Sequence, residues 1–447
     1  MSDVLPIPLR AVVVGLGETG YSAARFLLAH GSQVSVTDSR AAPPALKRLS
    51  ALGAEVVVRT GGFDASLLEH ADLVVVSPGV ALTGPFFEAA RSRGLTIVGD
   101  IELFARAARA PVVGITGTNG KSTVTMLLAQ MAERSGLKMR AGGNLGAPAL
   151  DLLDAGVELY ILELSSFQLE TTDSLSFAAA TVLNVSADHL DRYPDLESYA
   201  AAKARIFARC DVAVINLDDP LVAAMVGPGR QQLSFSLRAD VGADYALRRR
   251  EDGDWWLMRR GEPLLAFSQL RLTGLHNAAN ALAALALAEA LSLPRAICVA
   301  ALREFSGLPH RTQWIADVRG VRYVNDSKGT NVGATLAAVA GMPGPMIVIA
   351  GGDGKGQDFT PLRAAFAGKV RAAVLIGRDR HELGAALHGV CELHYAPSLE
   401  AAVEKAASLA QAGDTVLLSP ACASLDMFRD YAHRGAVFSD AVQRRSA

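Results

Sequence analysis

The sequence runs to 447 residues, 50% of them hydrophobic and 20% charged, which is too long for one ordinary core and too apolar for a disordered chain, so roughly two to four folded domains are expected. A formal net charge of −2 excludes a general electrostatic attraction to nucleic acid or to a membrane surface and leaves small molecules as the expected partners.

The four cysteines, Cys210, Cys298, Cys391 and Cys422, form no CxxC pair, so neither a zinc framework nor a disulfide scaffold fits and a reducing, cytoplasmic compartment is expected. Residues 1–10 lack the basic-then-apolar layout of a signal peptide. Short β-branched runs at 11–14, 34–37, 56–58, 73–76 and 96–98 then alternate with Ala/Leu-rich stretches. This alternation predicts a parallel sheet covered by helices, in a first α/β domain spanning 1–98. Its first strand leads into Gly15-Leu16-Gly17-Glu18-Thr19-Gly20, and Asp38 follows at the roughly 20-residue distance of a dinucleotide fingerprint. Taken alone the loop would suggest NAD or FAD, although the same loop can grip the diphosphate of a nucleotide sugar.

The second domain, 99–306, opens with a helix at 100–108 and a strand at 111–116 and continues through strands at 159–162, 180–185 and 212–216. Its first strand runs into Gly114-Ile115-Thr116-Gly117-Thr118-Asn119-Gly120-Lys121-Ser122-Thr123, and the helix behind carries Val124, Leu127, Leu128 and Met131 on one face. Strand, glycine loop and helix form the setting of a phosphate cradle: N–H groups converge on the phosphates, Lys121 neutralises the β/γ-phosphates and the Ser122 hydroxyl ligates Mg²⁺. Ile115 stands where the standard loop has its first glycine. Glu163 and His189 each follow a core strand, where open α/β sheets place ligands, and both are candidate metal ligands. Between 230 and 272 the pattern changes, with Trp255 and Trp256 among polar residues and Arg248, Arg249 and Arg250 in a row. An antiparallel edge with a solvated arginine face is expected there. The Ala-rich window 278–293 is interrupted by Asn280 and Glu289 and reads as a buried helix rather than a membrane span.

Gly307-Leu308-Pro309 marks the next boundary. The third domain, 307–447, alternates again, with strands at 322–325, 346–350, 373–376 and 416–419. Three of these end in a polar or glycine-rich cluster: Asn325-Asp326-Ser327-Lys328-Gly329-Thr330-Asn331, Gly351-Gly352-Asp353-Gly354-Lys355, and Ser419-Pro420-Ala421-Cys422-Ala423-Ser424-Leu425.

Four motifs of the second domain, in order, are similar to the central domain of the Mur ligase family. They are Gly117 to Thr123; Gly142-Gly143-Asn144-Leu145-Gly146; Glu163-Leu164-Ser165-Ser166-Phe167-Gln168-Leu169-Glu170; and Asp188-His189-Leu190-Asp191-Arg192-Tyr193. His276-Asn277-Ala278-Ala279-Asn280 and Gly307-Leu308-Pro309-His310-Arg311 resemble two further segments of that family, and Asp326-Ser327-Lys328-x-Thr330-Asn331 resembles its glutamate-adding branch. The resemblance implies three domains: a Rossmann-like UDP-binding domain, a central P-loop ATPase-type parallel sheet with an antiparallel edge, and a Rossmann-like glutamate-binding domain. It implies an ATP-dependent ligase that joins D-glutamate to the alanyl carboxylate of UDP-N-acetylmuramoyl-L-alanine through an acyl phosphate in peptidoglycan precursor synthesis, with a hinge near Gly307.

By the same resemblance Gly117, Thr118, Asn119, Gly120, Lys121, Ser122, Thr123, Asn277, Asn280, Arg311 and Asp326 would hold ATP. Ser122, Glu163, His189 and Lys203 would hold two Mg²⁺ ions, with Lys203 carbamylated by CO₂, and Lys121, Glu163, His189 and Lys203 would be the catalytic set. Gly15, Leu16, Gly17, Thr19, Asp38, Arg40, Ser77, Gly79, Asn144 and His189 would face the UDP substrate. Lys328, Thr330, Lys355, Ser424, Leu425 and Tyr431 would face glutamate. Position 329 is commonly Ala in the family, and Gly329 is expected to be a neutral change. Sequence physics alone reads Lys203 as a surface helix lysine and leaves Asp38 open as a strand-end cap. Another Mur ligase or a folylpolyglutamate synthase is the rival of the same class; a nicotinamide-dependent dehydrogenase, or a nucleotide-driven binding switch, is the rival of another. A monomer without nucleic-acid or membrane partners is expected.

Overall fold

The computed structural model describes residues 9–53, 55–188, 192–227, 229–251, 253–272, 274–342 and 344–446. Contacts divide the chain into two compact units, one of 1–185, 189–246 and 282–301 and the other of 186–188, 247–281 and 302–447.

In the first unit, strands β1 (Arg10–Val14), β2 (Gln33–Asp38), β3 (Val57–Thr60), β4 (Leu73–Val76) and β5 (Thr96–Val98) form a sheet of order β3-β2-β1-β4-β5. Every pairing in it is parallel. β1 and β4 are buried on both faces, which explains their unbroken valine runs. The chain order reverses between β1 and β4, and the crevice at their carboxyl ends is where such sheets bind ligands.

A second sheet of this unit holds β6 (Val112–Thr116), β7 (Met139–Gly143), β8 (Leu159–Glu163), β9 (Phe177–Val182), β10 (Cys210–Asn216), β11 (Gln231–Ser236) and β12 (Tyr245–Arg249). From β12 its order runs β11-β10-β9-β6-β8-β7, and each of these pairings is parallel. β6 therefore lies between β8 and β9, and the loops that follow these three strands open on the same edge. The helix Lys121–Arg134 packs Val124, Leu127, Leu128 and Met131 into the core with no exposed surface, as their spacing predicts.

The expected antiparallel edge is narrower than the range 230–272. β11 and β12 continue the parallel sheet, and β13 (Trp255–Arg259) and β14 (Glu262–Ala266), in the second unit, pair antiparallel. With one partly wet face, β11 shows a polar–apolar alternation although it belongs to the parallel part of the sheet. Arg248, Arg249 and Arg250 are exposed, as the solvated-face reading expects. The Ala-rich window falls in the helix Leu275–Ala290 except for its last three residues and is buried without a break from Ala281 to Ala288, and no helix among the described residues is long and apolar enough to cross a membrane.

The second unit also contains β15 (Gln313–Val318), β16 (Val321–Asn325), β17 (Met346–Gly351), β18 (Val370–Ile376), β19 (Glu392–Tyr395) and β20 (Thr415–Leu418), in the order β15-β16-β20-β17-β18-β19. Only β15 runs antiparallel to its neighbour. β16, β20 and β17 are adjacent, so the three clusters singled out in the sequence leave neighbouring strands at the same edge.

Candidate active site

At the end of β1 the glycine loop is drawn tight. A Cβ on Gly20 would stand 1.8 Å from the Gly15 carbonyl oxygen, so the helix Glu18–Ala29 approaches the loop as only glycine allows. Ser77 Oγ donates to the same carbonyl at 2.8 Å, tying the loop after β4 to the loop after β1. Asp38, 2% exposed, accepts from Leu16 N at 2.7 Å, from Arg40 N at 2.8 Å, and from Arg40 Nε and Nη2 at 2.9 and 2.6 Å. Burial pushes its carboxyl up, but the Arg40 guanidinium and these two main-chain N–H groups outweigh that and hold it at about 2. The strand-end cap and the ligand-side reading are thus two parts of one device. Asp38 is saturated and fixes the loop, while the guanidinium of Arg40 stays half-exposed. A carboxylate with four donors already in place is poorly suited to accept ribose hydroxyls, which weakens the nicotinamide reading. Thr19 and Ser77 are partly exposed beside the loop, and Gly79 is exposed.

Around β6 the central cluster closes on the phosphate loop. Ser122 Oγ donates to Glu163 Oε2 at 2.5 Å, and Asn144 Nδ2 donates to Glu163 Oε1 at 2.8 Å. One buried carboxylate from the end of β8 thereby joins the loop serine to the residue that follows β7. Lys121 Nζ donates to Gly117 O at 2.8 Å and Thr118 O at 2.9 Å. Lys203, from the helix Leu196–Ala204, donates to that same Gly117 O at 3.1 Å, with its ammonium 4.3 Å from the centre of the Tyr199 ring. At 1% exposure Lys203 is no surface lysine, and the sequence-physics reading of it is corrected. Thr123 is buried on the first turn of the loop helix. The main-chain N–H groups of Thr118 and Asn119 donate to the carbonyl oxygen and to Oδ1 of Asn184, at 2.9 and 2.8 Å. His189 lies outside the described residues.

Two hard oxygen donors side by side, Ser122 Oγ and a Glu163 carboxylate, suit Mg²⁺, which takes one or two protein oxygens and completes its shell with water and phosphate. Among the described residues no three His, Cys, Asp or Glu side chains gather as a metal site.

In the second unit, Asp326 after β16 accepts from Thr312 N at 3.1 Å on Oδ1 and from Ser419 Oγ at 2.8 Å on Oδ2. Burial raises its carboxyl to about 6, against the lowering effect of these bonds and of Arg311. A Cβ at Gly329 would come within 2.7 Å of Asp326 Oδ2, so an alanine there would not be neutral as expected, because the carboxylate would have to move. Lys328 Nζ sits 3.8 Å from the centre of the Tyr431 ring. Asn280 Nδ2 donates to Asn277 Oδ1 at 3.1 Å, both residues being buried. Main-chain bonds stitch the three clusters together: Ala421 N to Gly329 O at 3.0 Å, Gly351 N to Pro420 O at 2.8 Å, and Asp353 N to Ala423 O at 3.0 Å. Thr330 is half-buried, Ser424 is buried, Lys355 is exposed, and Leu425 is 70% exposed.

Sequence reading missed Asn184, Thr312 and Arg434. The Arg434 guanidinium, 1% exposed, donates to Ser327 Oγ and Ser327 O at 3.0 and 2.8 Å and to Cys422 O at 3.1 Å, so one side chain holds two of the clusters. Burial lowers it to about 10. Its partners are main-chain atoms and a serine far away in sequence, which leave no local pattern. The signal for Asn184 was an amide directly past the strand that borders β6.

Comparison with known proteins gives three family models in chain order. These are the Mur ligase MurD-like N-terminal domain over 9–99, the Mur ligase middle domain over 115–288 and the Mur ligase glutamate ligase domain over 310–422. A protein of Nitrosococcus oceani named UDP-N-acetylmuramoylalanine--D-glutamate ligase is 55% identical over 97% of this chain and 96% of its own length. One of the same name from Methylobacillus flagellatus is 52% identical over 97% and 96%. Among solved structures, the UDP-N-acetylmuramate-alanine ligase MurC of Thermotoga maritima is similar with a TM-score of 0.62 at 19% identity, covering 97% of this chain and 99% of that one. At that identity it speaks for the fold.

Proposed function

The chain belongs to the Mur ligase family, and from that premise we propose how its residues carry out the reaction. It is an ATP-dependent ligase that adds D-glutamate to UDP-N-acetylmuramoyl-L-alanine in peptidoglycan precursor synthesis. The reading of its parts is three domains, 1–98, 99–306 and 307–447, and the spans of the three family models support it. These substrates and ATP are cytoplasmic metabolites, so the cytoplasm is the proposed compartment. A monomer is the proposed working form.

The observation that carries the reading is the meeting of Lys121, Lys203, Ser122 and Glu163 on one glycine loop, with Ser122 Oγ 2.5 Å from Glu163 and both ammonium groups on Gly117 O. In the proposed path the alanyl carboxylate oxygen attacks the γ-phosphorus of ATP, the bond to the β-bridging oxygen breaks and ADP leaves, giving an acyl phosphate. The glutamate amine then attacks the acyl carbon, loses a proton and expels inorganic phosphate as the amide forms. Lys121 screens phosphate charge so that two anions can approach. Mg²⁺, held by Ser122, Glu163, His189 and a carbamylated Lys203 as two ions, would supply further screening of that charge. Burial of Lys203 beside the loop supports the last assignment, since a carbamate there would turn a cation into an oxygen ligand.

Asn144, on the other oxygen of Glu163, is assigned to the substrate carboxylate, and Thr19, Arg40, Ser77 and Gly79 to the UDP part. Asn277, Asn280, Arg311 and Asp326 are assigned to ATP. Lys328, Thr330, Lys355, Ser424, Leu425 and Tyr431 are assigned to glutamate, and the main-chain stitching of their loops supports that grouping. Phosphate release from ATP, measured with UDP-N-acetylmuramoyl-L-alanine and each candidate amino acid in turn, tests the assignment. D-Glutamate should drive release, and activity with meso-diaminopimelate but not with D-glutamate would overturn it.

A further inference from the structure

We propose that Asn184 is a positioning residue for the phosphate loop, clamping the main chain of Thr118 and Asn119 so that the loop is held ready for the triphosphate; this rests on the reading that the loop holds ATP. β9 ends at Val182, and the two residues beyond it run along the loop. Leu183 N donates to Thr116 O at 2.9 Å, Thr118 N donates to Asn184 O at 2.9 Å, and Asn119 N donates to Asn184 Oδ1 at 2.8 Å. Asn184 Nδ2 returns a bond to Asn119 O at 3.0 Å. The paired bonds fix the amide, because the flipped arrangement would set N–H against N–H and oxygen against oxygen. Contact along this line is tight: a Cβ on Gly117, whose φ is +145°, would meet Leu183 Cβ at 3.0 Å and Leu183 N at 3.1 Å.

The clamp has two consequences for the loop. It commits two N–H groups that would otherwise be free to turn outward, and it fixes the peptide that leads into Gly120, the left-handed residue before the helix. The direction of the first helical N–H groups follows from that peptide. A cradle made of main-chain donors works only if those donors stay aimed without reorganisation. The role needs one donor and one acceptor on a side chain of this length. An ionised aspartate at 184 would offer two acceptors and face the Asn119 carbonyl with a negative oxygen. A protonated aspartate would restore the donor–acceptor pair.

The test uses the full chain unaltered and as Asn184→Ala and Asn184→Asp, with steady-state kinetics in all three substrates and titration with adenylyl imidodiphosphate and Mg²⁺. Asn184→Ala should raise KM for ATP roughly tenfold, as lost positioning does, with KM for D-glutamate and for the UDP substrate changed by less than about twofold. Asn184→Asp, ionised across the working pH range and so offering two acceptors where one donor is needed, should show a rise in KM for ATP at least as large, again with the other two KM values little changed. Variants with unaltered KM for ATP and unaltered analogue binding would overturn the proposal. So would an Asn184→Asp whose KM for ATP and analogue binding match the unaltered chain, which also decides the matter should Asn184→Ala fail to fold. If the unaltered chain itself neither bound the analogue nor turned over ATP, the ATP reading would fall first, and that outcome is distinct from a failure of the clamp alone.

Discussion

Lys203 Nζ stands 3.1 Å from the carbonyl oxygen of Gly117, the same oxygen that receives Lys121 Nζ at 2.8 Å. Two ammonium groups from two helices share one acceptor, and their joint position is what a carbamate at Lys203 would change. Lys203→Ala should lower kcat on the order of 10²-fold or more, as loss of a metal-side group does, and added formate or acetate should restore part of it. Turnover measured with and without CO₂-depleted buffer and added carboxylate checks this; a fully active Lys203→Ala would remove the carbamate.

Glu163 spends one oxygen on Ser122 and the other on Asn144. Glu163→Gln keeps the shape but removes the charge, and one of its two ends must then present N–H₂ to a neighbouring donor. A higher Mg²⁺ requirement and a kcat lower by roughly 10- to 100-fold are expected. A Mg²⁺ titration of the variant reads both, and an unchanged Mg²⁺ dependence would remove Glu163 from the metal.

Arg434 is the buried link between the loops after β16 and β20. Arg434→Met leaves several buried acceptors without donors, each costing about 1–3 kcal/mol, so a lower Tm is expected. At a temperature where the variant is folded, KM for D-glutamate should rise more than KM for ATP. Arg434→Lys keeps the charge but loses the planar fork, and should recover only part of the loss.

Asp100, wholly buried with Gln168 Nε2 3.3 Å from its Oδ2 and no partner on Oδ1, is pushed up by burial from 3.8 to about 6. The folded chain holds this proton more tightly than the unfolded one. Its contribution to stability is therefore complete below the unfolded value, is lost as pH rises from about 4 to about 6, and becomes a penalty on the order of 3 kcal/mol above that. Asp100→Asn should raise Tm near pH 8 and leave it almost unchanged near pH 4. Thermal melts across that range check it. Asp326, raised to about 6 for the same reason, keeps part of the slope in the variant.

Most of the strands were legible because buried parallel strands leave unbroken apolar runs, as in β4 and β17. Three were not. β7 ends in Gly142 and Gly143, β15 is a partly exposed edge strand, and β19 carries Glu392 and His394, so none has the apolar signature of the interior. The phosphate loop was legible because its glycines, Lys121 and Ser122 are contiguous. Burial of Lys203 was not, since its neighbours in Tyr199-Ala200-Ala201-Ala202-Lys203 fit a surface helix as well as a core one. Nor was the full duty of Asp38. Spacing pointed to the acid, but only the fold brings Leu16 N to it and shows that Arg40 is the group left facing outward.

The account stands most directly on the fate of one carboxylate oxygen. UDP-N-acetylmuramoyl-L-alanine labelled with ¹⁸O in both alanyl carboxylate oxygens, turned over with ATP, Mg²⁺ and D-glutamate, should deliver one labelled oxygen to each phosphate released and keep the other in the new amide. Released phosphate carrying no label would contradict transfer of the terminal phosphoryl group to the carboxylate.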